Sequence, residues 1–290
     1  MTIVYCNGQF SQADSATISC QDRGLLLGDG FFDTLLVQHG HIPWIDYHWH
    51  RLLRTASKIQ ISLPLTQPHL LDIAQTLVER NHFTADSVGL RITITRGCGE
   101  RALLPTGTET PQYWMYLFAK PEVKPRVSLA TTNIRRNASS PLVTMKSTNY
   151  LEAILAHQQV AVQDADDVLW LNHQQHVCET SVANIFLINH QQVITPPLDD
   201  GVLPGVTRQV LLELCAELSI DHMQQSITLP DCYAADAVLI TNTLKPIQRV
   251  HQINHQPLTT AKSDIVTTLT QQYHRRLQEL LKQQISRKRG

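Results

Sequence analysis

The sequence predicts an α/β protein with a smaller first domain and a larger second one. The chain has 290 residues, enough for two ordinary domains of roughly 100–200 residues each. Segments of strand-like alternation are interleaved with segments whose apolar residues recur at helical spacing. Residues 119–126, AKPEVKPR, carry two prolines and alternating charges, which is typical of an interdomain linker. We therefore predict an N-terminal α/β domain at 1–118, the linker at 119–126, and a C-terminal domain with a basic helical tail at 127–290.

The composition excludes several classes of protein. Lys and Arg number 24 against 25 Asp and Glu, which argues against a strongly basic nucleic-acid binder. No segment approaches the ~20 apolar residues of a membrane helix, and no signal peptide is recognisable. The six cysteines lack CxxC spacing, which favours reduced thiols over a disulfide framework. We expect a cytoplasmic protein that binds a small molecule and neither nucleic acid nor membrane.

A β-hairpin opens the first domain. The run TIVYCNGQF turns at Asn7-Gly8, the pair most able to adopt the positive φ angles of a type I′ turn. Alternation and helical spacing predict the remaining elements. These are strand patterns within 31–45, 88–97 and 112–120, and helices at 46–60, with Asp46 as N-cap, and at 70–83.

The second domain alternates strands and helices. Its short apolar runs predict buried strands, and its longer periodic runs predict helices. The predicted strands are 127–134, 167–172, 184–188 and 234–242, and the predicted helices are 150–163, one following the stretch 203–218, and 263–284.

One lysine stands at an unusual point of this pattern. In PLVTMKSTNYLEAIL, Lys146 follows the apolar Leu142, Val143 and Met145 and precedes a helix start expected at 147–149. A lysine taken alone is a surface residue. Held in a partly desolvated position, however, its amine is suited to forming a Schiff base.

Three blocks extend the argument beyond this lysine. MKSTNYLEAILA, CETSVANIFLI and GVLPGVTRQVLLE follow one another in that order. Together they resemble the signature blocks of the fold-type IV pyridoxal phosphate enzymes, also called class IV aminotransferases. The resemblance extends from Gly28 to about Val250. It implies a two-domain fold with pyridoxal 5'-phosphate between the domains, and a homodimer.

The resemblance also implies roles for single residues. Lys146 would bind the cofactor aldehyde, and Glu179 would pair with the pyridine nitrogen so that the ring can accept electrons. The phosphate would lie at the helix N-terminus in LPGVTRQ, where unpaired N–H groups favour anions. The implied phosphate contacts are Arg51 of the HxxRL block, Gly205, Val206, Thr207 and Thr243.

Three further segments bear on the reaction. GDGFFDTLLV, TNTLKPIQRV and TRGCGER are similar to the corresponding segments of aminodeoxychorismate lyases within this family. The implied reaction converts 4-amino-4-deoxychorismate to 4-aminobenzoate and pyruvate, a step of folate synthesis. Thr34 would be the proton donor, and Arg96 and Arg101 would hold the two substrate carboxylates.

The segment after Arg101 reads ALLP, where many lyases have Gly-Tyr. Two alternatives therefore stay open: a D-amino-acid or branched-chain aminotransferase, and a non-catalytic binding protein with this fold. No metal site is predicted. His48 and His50 are two positions apart on a predicted helix and so point about 200° apart, and we expect His48 to pack in the helix interface.

Overall fold

The computed structural model describes residues 2–83, 87–100, 102–259 and 263–287. The chain divides into two compact units. Unit 1 comprises Met1–Pro121, Lys146–Asn149 and Glu279–Gly290, and unit 2 comprises Glu122–Met145 and Tyr150–Gln278. The four residues beginning at Lys146 thus belong to unit 1, although the residues on either side of them belong to unit 2. The predicted α/β fold class is confirmed.

Unit 1 is built on a five-stranded antiparallel sheet in the order β2-β1-β5-β4-β3. The predicted hairpin is confirmed, with φ of 47° at Asn7 and 93° at Gly8. The strand pattern predicted from residue 31 ends at Gln38, and only a single bridge to His41 follows the turn. The strands are β1 (Ile3–Cys6), β2 (Gln9–Gln12), β3 (Gly30–Gln38), β4 (Ser87–Thr95) and β5 (Gln112–Ala119).

Two long helices cover one face of this sheet. Alternate residues of β3 and β4 pack with them into one core, which includes Leu35, Leu52, Leu70 and Leu90. The predicted N-cap at Asp46 is wrong. Trp44 is the N-cap, and Asp46 lies in the first helical turn. The helices of the unit are α1 (Arg23–Leu27), α2 (Ile45–Lys58) and α3 (Gln67–Arg80).

Unit 2 contains a mixed nine-stranded sheet in the order β11-β10-β9-β12-β13-β6-β7-β8, with β14 beside β13. An additional pairing between β8 and β9 joins six of these strands into a ring. The strands are β6 (Arg126–Thr131), β7 (Asp167–Leu171), β8 (Val177–Thr180), β9 (Asn184–Asn189), β10 (Gln192–Thr195), β11 (His222–Gln224), β12 (Ala237–Thr241), β13 (Gln248–Ile253) and β14 (Gln256–Pro257).

Three of the four described helices of unit 2 have a predicted counterpart, although the second lies within 203–218 rather than after it, and the third was not predicted. The four helices are α4 (Leu151–Ala161), α5 (Val206–Glu217), α6 (Leu229–Ala234) and α7 (Asp264–Arg287), the last of which continues into unit 1. The helix start expected at 147–149 is wrong. Ser147 forms an isolated bridge with Phe31, Thr148 lies in a bend, and α4 begins at Leu151. Among the helices of the described ranges, none is both long and apolar enough to span a membrane.

Candidate active site

Lys146 is positioned by backbone pairing to the edge strand β3. Its carbonyl accepts the Phe32 N–H at 2.8 Å, and the Thr148 N–H donates to the Gly30 carbonyl at 3.0 Å. The Thr148 hydroxyl donates to the carbonyls of Gly28 and Gly30 at 2.9 and 3.1 Å. The lysine backbone is therefore fixed as if it were part of an additional strand, and its half-buried side chain projects from a rigid base.

Gly28 allows this segment to approach closely. It ends α1 in the left-handed region, at φ 69°. A Cβ at this position would lie 2.4 Å from Asn149 Oδ1, and Asn149 Nδ2 donates to the Gly28 carbonyl at 3.0 Å. A larger residue at position 28 would be strained by the positive φ and would displace the Asn149 side-chain amide.

Two cationic side chains lie close to the Phe32 ring. Lys146 Nζ lies 4.6 Å from the ring centroid, and the Arg91 guanidinium carbon lies 3.6 Å from it. Thr34 lies directly opposite Arg91 in the β3–β4 register, two residues from Phe32. Side chains two apart on a strand, and directly opposite across an antiparallel pair, share a face. Phe32, Thr34 and Arg91 therefore line the sheet face onto which Lys146 projects.

Asp33 points to the other face, where it is fully buried against α2. Its carboxylate accepts from Arg51 Nη2 at 2.5 Å and Nε at 3.1 Å, and His48 Nδ1 lies 3.3 Å away. Burial alone would raise the pKa of Asp33, but the Arg51 charge and the contacts with His48 and Arg51 hold it well below its usual range. Burial lowers the pKa of His48, and the attraction of Asp33 offsets this only in part.

His48 and Arg51, which the sequence analysis singled out, both contact the buried Asp33 carboxylate. The helix-packing histidine expected at His48 is fully buried, and its Nε2 has no hydrogen-bond partner in the described residues. Arg51, expected from the resemblance to contact phosphate, has Nε and Nη2 held by Asp33. The phosphate contact of Arg51 stays a prediction.

Arg96 has several hydrogen-bond partners within unit 1, and its expected contact with a substrate carboxylate stays a prediction. Its guanidinium donates to both Asp29 oxygens, at 2.7 and 3.1 Å, and to the carbonyls of Ile59 and Gln60. Arg23 binds the same Asp29 carboxylate at 2.9 Å. Arg96, which follows β4, thus connects the end of that strand by hydrogen bonds to the loops that contain Asp29 and residues 59–60. Arg101 lies outside the described residues.

In unit 2, Glu179 lies in β8 and is 5% exposed. Arg136 Nη2 donates to its Oε1 at 2.9 Å. Its Oε2 accepts from the Leu203 N–H at 3.0 Å and from Asn184 Nδ2 at 3.2 Å. Every one of these partners donates, which suits a carboxylate and matches the anion that a pyridinium nitrogen requires.

Asn184 connects Glu179 to the start of α5. It lies opposite Glu179 in the β8–β9 pair, and its Nδ2 also donates to the Leu203 carbonyl at 2.9 Å. A Cβ on Gly205 would lie 2.0 Å from Asn184 Oδ1. Gly205 is therefore required because the asparagine amide lies against its Cα. The chain turns there into α5, with Val206 and Thr207 as its first two residues.

Hydroxyl groups and helix N–H groups occur together in this part of unit 2. The first N–H groups of an α-helix have no intrahelical partner, and Thr207 is buried among them. Thr241 lies opposite Asn184 in the β9–β12 register, and its buried Oγ1 has no hydrogen-bond partner in the described residues. Thr243 lies in the following loop, which is closed by Asn242 Oδ1 accepting from two backbone N–H groups.

The sequence interpretation did not identify Arg91, Arg136 or Thr241. Arg91 could have been found from alternation, because an arginine within the strand run LRITIT must leave the core face. Arg136 and Thr241 carry no local signal, since what marks them is a partner more than 40 residues away or a hydroxyl that has none.

Replacing Asp33 with Asn should lower the free energy of unfolding at pH 7 by about 3–5 kcal/mol, because Arg51 would stay buried without its anion. The pKa of Asp33 is lower in the folded protein than in the unfolded chain. The ionised carboxylate therefore stabilises the fold fully at any pH above its unfolded-state pKa of ~3.9. The difference in free energy of unfolding between wild type and variant should therefore shrink only as the pH falls below ~4. Urea unfolding between pH 7 and 3 measures this. Asp72→Asn, an exposed change on α3, is the control, and equal losses for both variants would contradict the prediction.

Comparison with known proteins identifies the family of the chain. The model of the family "Amino-transferase class IV" matches residues 30–253. A protein of Methanocaldococcus jannaschii, provisionally named a branched-chain-amino-acid aminotransferase, is 30% identical over 256 residues, covering 87% of this chain and 88% of that one. An aminodeoxychorismate lyase of Vibrio harveyi is 29% identical over 238 residues, covering 80% and 86%.

A solved structure from Legionella pneumophila, provisionally named 4-amino-4-deoxychorismate lyase, has a TM-score of 0.85 at 29% identity and covers 91% of this chain and 97% of its own. These relatives cover nearly the whole chain, and they share a family while differing in reaction. The chain belongs to the class IV aminotransferase family, whose members imply pyridoxal phosphate as its cofactor.

Proposed function

We propose that the protein is an aminodeoxychorismate lyase, which converts 4-amino-4-deoxychorismate to 4-aminobenzoate and pyruvate in folate synthesis. The observation that carries this proposal is the position of Thr34. Its hydroxyl lies on the same sheet face as Phe32, whose ring Lys146 Nζ contacts. A hydroxyl near the amine is what a lyase needs in order to protonate a leaving group, and the relative from Vibrio harveyi supports the same reaction.

The residues present fit pyridoxal phosphate. Bound there, the cofactor supplies an aldehyde that condenses with amines and a pyridine ring that accepts electrons. Lys146 would hold the aldehyde end, and Glu179, kept in place by three donors, would hold the ring nitrogen. The buried, unpartnered hydroxyl of Thr241 and the N-terminus of α5 match a phosphate, with Gly205, Val206, Thr207 and Thr243 around them and Arg51 as a further contact.

Two side chains of unit 1 would move protons. With the cofactor bound and the substrate in place, Lys146 Nζ would act as the base that removes the proton from the amine-bearing ring carbon. The ring becomes aromatic when the enolpyruvyl group leaves, and this drives elimination rather than amino transfer. Thr34 would donate a proton to the methylene carbon of the leaving group, which would depart as pyruvate. The Lys146 ammonium would return a proton to the Thr34 oxygen, and 4-aminobenzoate would be released.

The first test is a product assay. Cofactor-loaded protein supplied with 4-amino-4-deoxychorismate should release 4-aminobenzoate and pyruvate in equal amounts. Lys146→Ala should release neither product and should lose the visible absorbance of the bound cofactor. A yellow, active Lys146→Ala variant would refute the role of the lysine.

An aminotransferase is the second candidate function, favoured by the relative from Methanocaldococcus jannaschii. Pairs of amino acids and 2-oxo acids run in parallel distinguish it. Amino transfer from a D- or branched-chain amino acid without 4-aminobenzoate would establish it in place of the lyase. Turnover in neither assay would favour a binding protein.

Replacing Thr34 with Val should lower lyase turnover by about 10²–10⁴-fold, the usual contribution of a general acid, and leave cofactor absorbance unchanged. Thr34→Ser is the matched control, because it keeps the hydroxyl and should retain most of the activity. Steady-state rates of pyruvate release measure both variants. If the valine variant turns over within twofold of wild type, the proton comes from another group.

Arg91 is our candidate for one substrate carboxylate. Asp29 holds Arg96, whereas Arg91 lies opposite Thr34 on the candidate catalytic face. Arg91→Gln should therefore raise KM for 4-amino-4-deoxychorismate more than it lowers kcat, because a charge-assisted contact is lost in the bound ground state as well as in the transition state. An unchanged KM would remove Arg91 from this role.

We also propose a cytoplasmic homodimer. All six cysteines are free thiols, which a reducing compartment would explain. Large apolar side chains are exposed on α1, where Leu25 and Leu26 are 66% and 54% exposed, and on α4, where Leu151 is 68% exposed. A second subunit could cover such residues. Sedimentation of the purified protein should give twice the mass of one chain, and a monomeric mass would refute the dimer.

A further inference from the structure

The first turn of α5 carries a buried cation. Arg208 is the third residue of this helix, after Val206 and Thr207, and it is 5% exposed. The same turn contains no acidic side chain. A positive charge is unfavourable there, because the N-terminal end of a helix macrodipole is itself positive. The sequence thus places a cation where the helix alone would favour an anion or a neutral side chain.

The side chain of Arg208 begins beside the N-cap of α5. A Cβ on Gly205 would lie 3.6 Å from Arg208 Cβ, and helical side chains lean toward the N-terminus of their helix. Arg208 Nη2 donates to the Pro196 carbonyl and to Gln224 Oε1, each at 2.9 Å. These two bonds hold the guanidinium in one place.

No carboxylate among the described residues forms an ion pair with this guanidinium. Both of its acceptors are neutral, and its buried Nε has no hydrogen-bond partner in the part of the chain that the structure describes. Burial lowers the pKa of Arg208, and the charge of Glu179 offsets part of that change, but an arginine stays protonated in proteins. A buried charge without a paired anion destabilises a fold. This destabilisation points to an anion that binds near the start of α5.

We propose that Arg208 determines the preference of the site for a phosphorylated cofactor, by supplying a buried positive charge that attracts the phosphate at the start of α5. The inference rests on the proposed phosphate site, and it is independent of the reaction that the enzyme catalyses. Attraction through the protein exceeds attraction through water, because the effective dielectric constant is about 20 rather than 80. No direct contact with the phosphate is required, so Arg208 is a specificity-determining residue and not a catalytic one.

The test compares two ligands that differ only in the phosphate. Protein freed of cofactor is titrated with pyridoxal phosphate and with pyridoxal, and the visible absorbance follows binding. Arg208→Met approximates the length of the side chain and removes its charge. It should lower the ratio of the two affinities roughly tenfold, as expected for the loss of one buried charge, and leave pyridoxal binding unchanged. A general loss of stability would weaken the binding of both ligands alike.

Gln224 offers a second test that leaves Arg208 in place. Gln224 is exposed, and its Oε1 already accepts from the guanidinium. Gln224→Glu puts a carboxylate against the cation, so it should lower the affinity ratio without lowering the free energy of unfolding. Gln225→Glu is the matched control, because it adds the same charge at the neighbouring exposed position, and it should leave the ratio unchanged.

Arg208→Lys separates the charge from the geometry of the guanidinium. A lysine keeps the charge as a compact ammonium and loses the planar fork, so the affinity ratio should stay close to that of the wild type. An unchanged ratio in Arg208→Met or in Gln224→Glu would overturn the proposal. A loss in Arg208→Lys as large as that in Arg208→Met, or equal losses in Gln224→Glu and Gln225→Glu, would also overturn it.

Thr207→Val distinguishes this inference from the proposed function. If that variant leaves the affinity ratio unchanged, the phosphate does not bind at the start of α5, and the proposed site and this inference fail together. If it lowers the ratio while Arg208→Met does not, the site stands and only the role of Arg208 fails. An error about the lyase reaction would leave all these affinities as expected, since no turnover is measured.

Discussion

The candidate site depends on the pairing of residues 146–149 with the edge of β3. An edge strand presents unpaired N–H and C=O groups, and here the segment that carries the lysine binds the Phe32 N–H and the Gly30 carbonyl. Main-chain bonds hold the Lys146 backbone in place, and only the side chain remains to adjust. A catalytic amine on a free loop would lose much of its effective concentration, because small displacements of reacting groups are costly.

Glu179 is also fixed by several hydrogen bonds, two from side chains and one from a backbone N–H. Its partners come from three separate stretches of unit 2, namely Arg136, Asn184 and the Leu203 backbone. Asn184 also fixes the Leu203 carbonyl and requires glycine at position 205. The carboxylate and the start of α5 therefore cannot move independently. A group that must keep one charge and one orientation toward a bound ring benefits from such coupling.

The roles of the residues in the motif blocks stay predictions. The sequence predicted the fold class and most of the long elements. It succeeded there because periodicity and turn chemistry act locally, as in the Asn7-Gly8 hairpin. It failed where distant residues decide the outcome. Residues 147–149 follow an apolar run and precede a helix, which suggests a helix start, yet Ser147 bridges Phe31 and the Thr148 N–H donates to the Gly30 carbonyl, and the helix begins only at Leu151. The partners of the Arg96 guanidinium, Asp29 and two carbonyls, are likewise revealed by no local pattern, and the role of Arg96 toward a substrate stays a prediction.

Alternation along β3 explains why the fold and the reaction can vary separately in such a protein. Asp33 faces α2 and anchors Arg51 and His48 in the interior, so a change there acts on stability. Phe32 and Thr34, one residue away on either side, face the Lys146 side chain instead. A substitution at position 34 can therefore change the hydroxyl group on that face without disturbing the core. Relatives at 29–30% identity bear the names of different reactions, and under the proposed function the side chains on that one face are where the difference between lyase and aminotransferase should be sought.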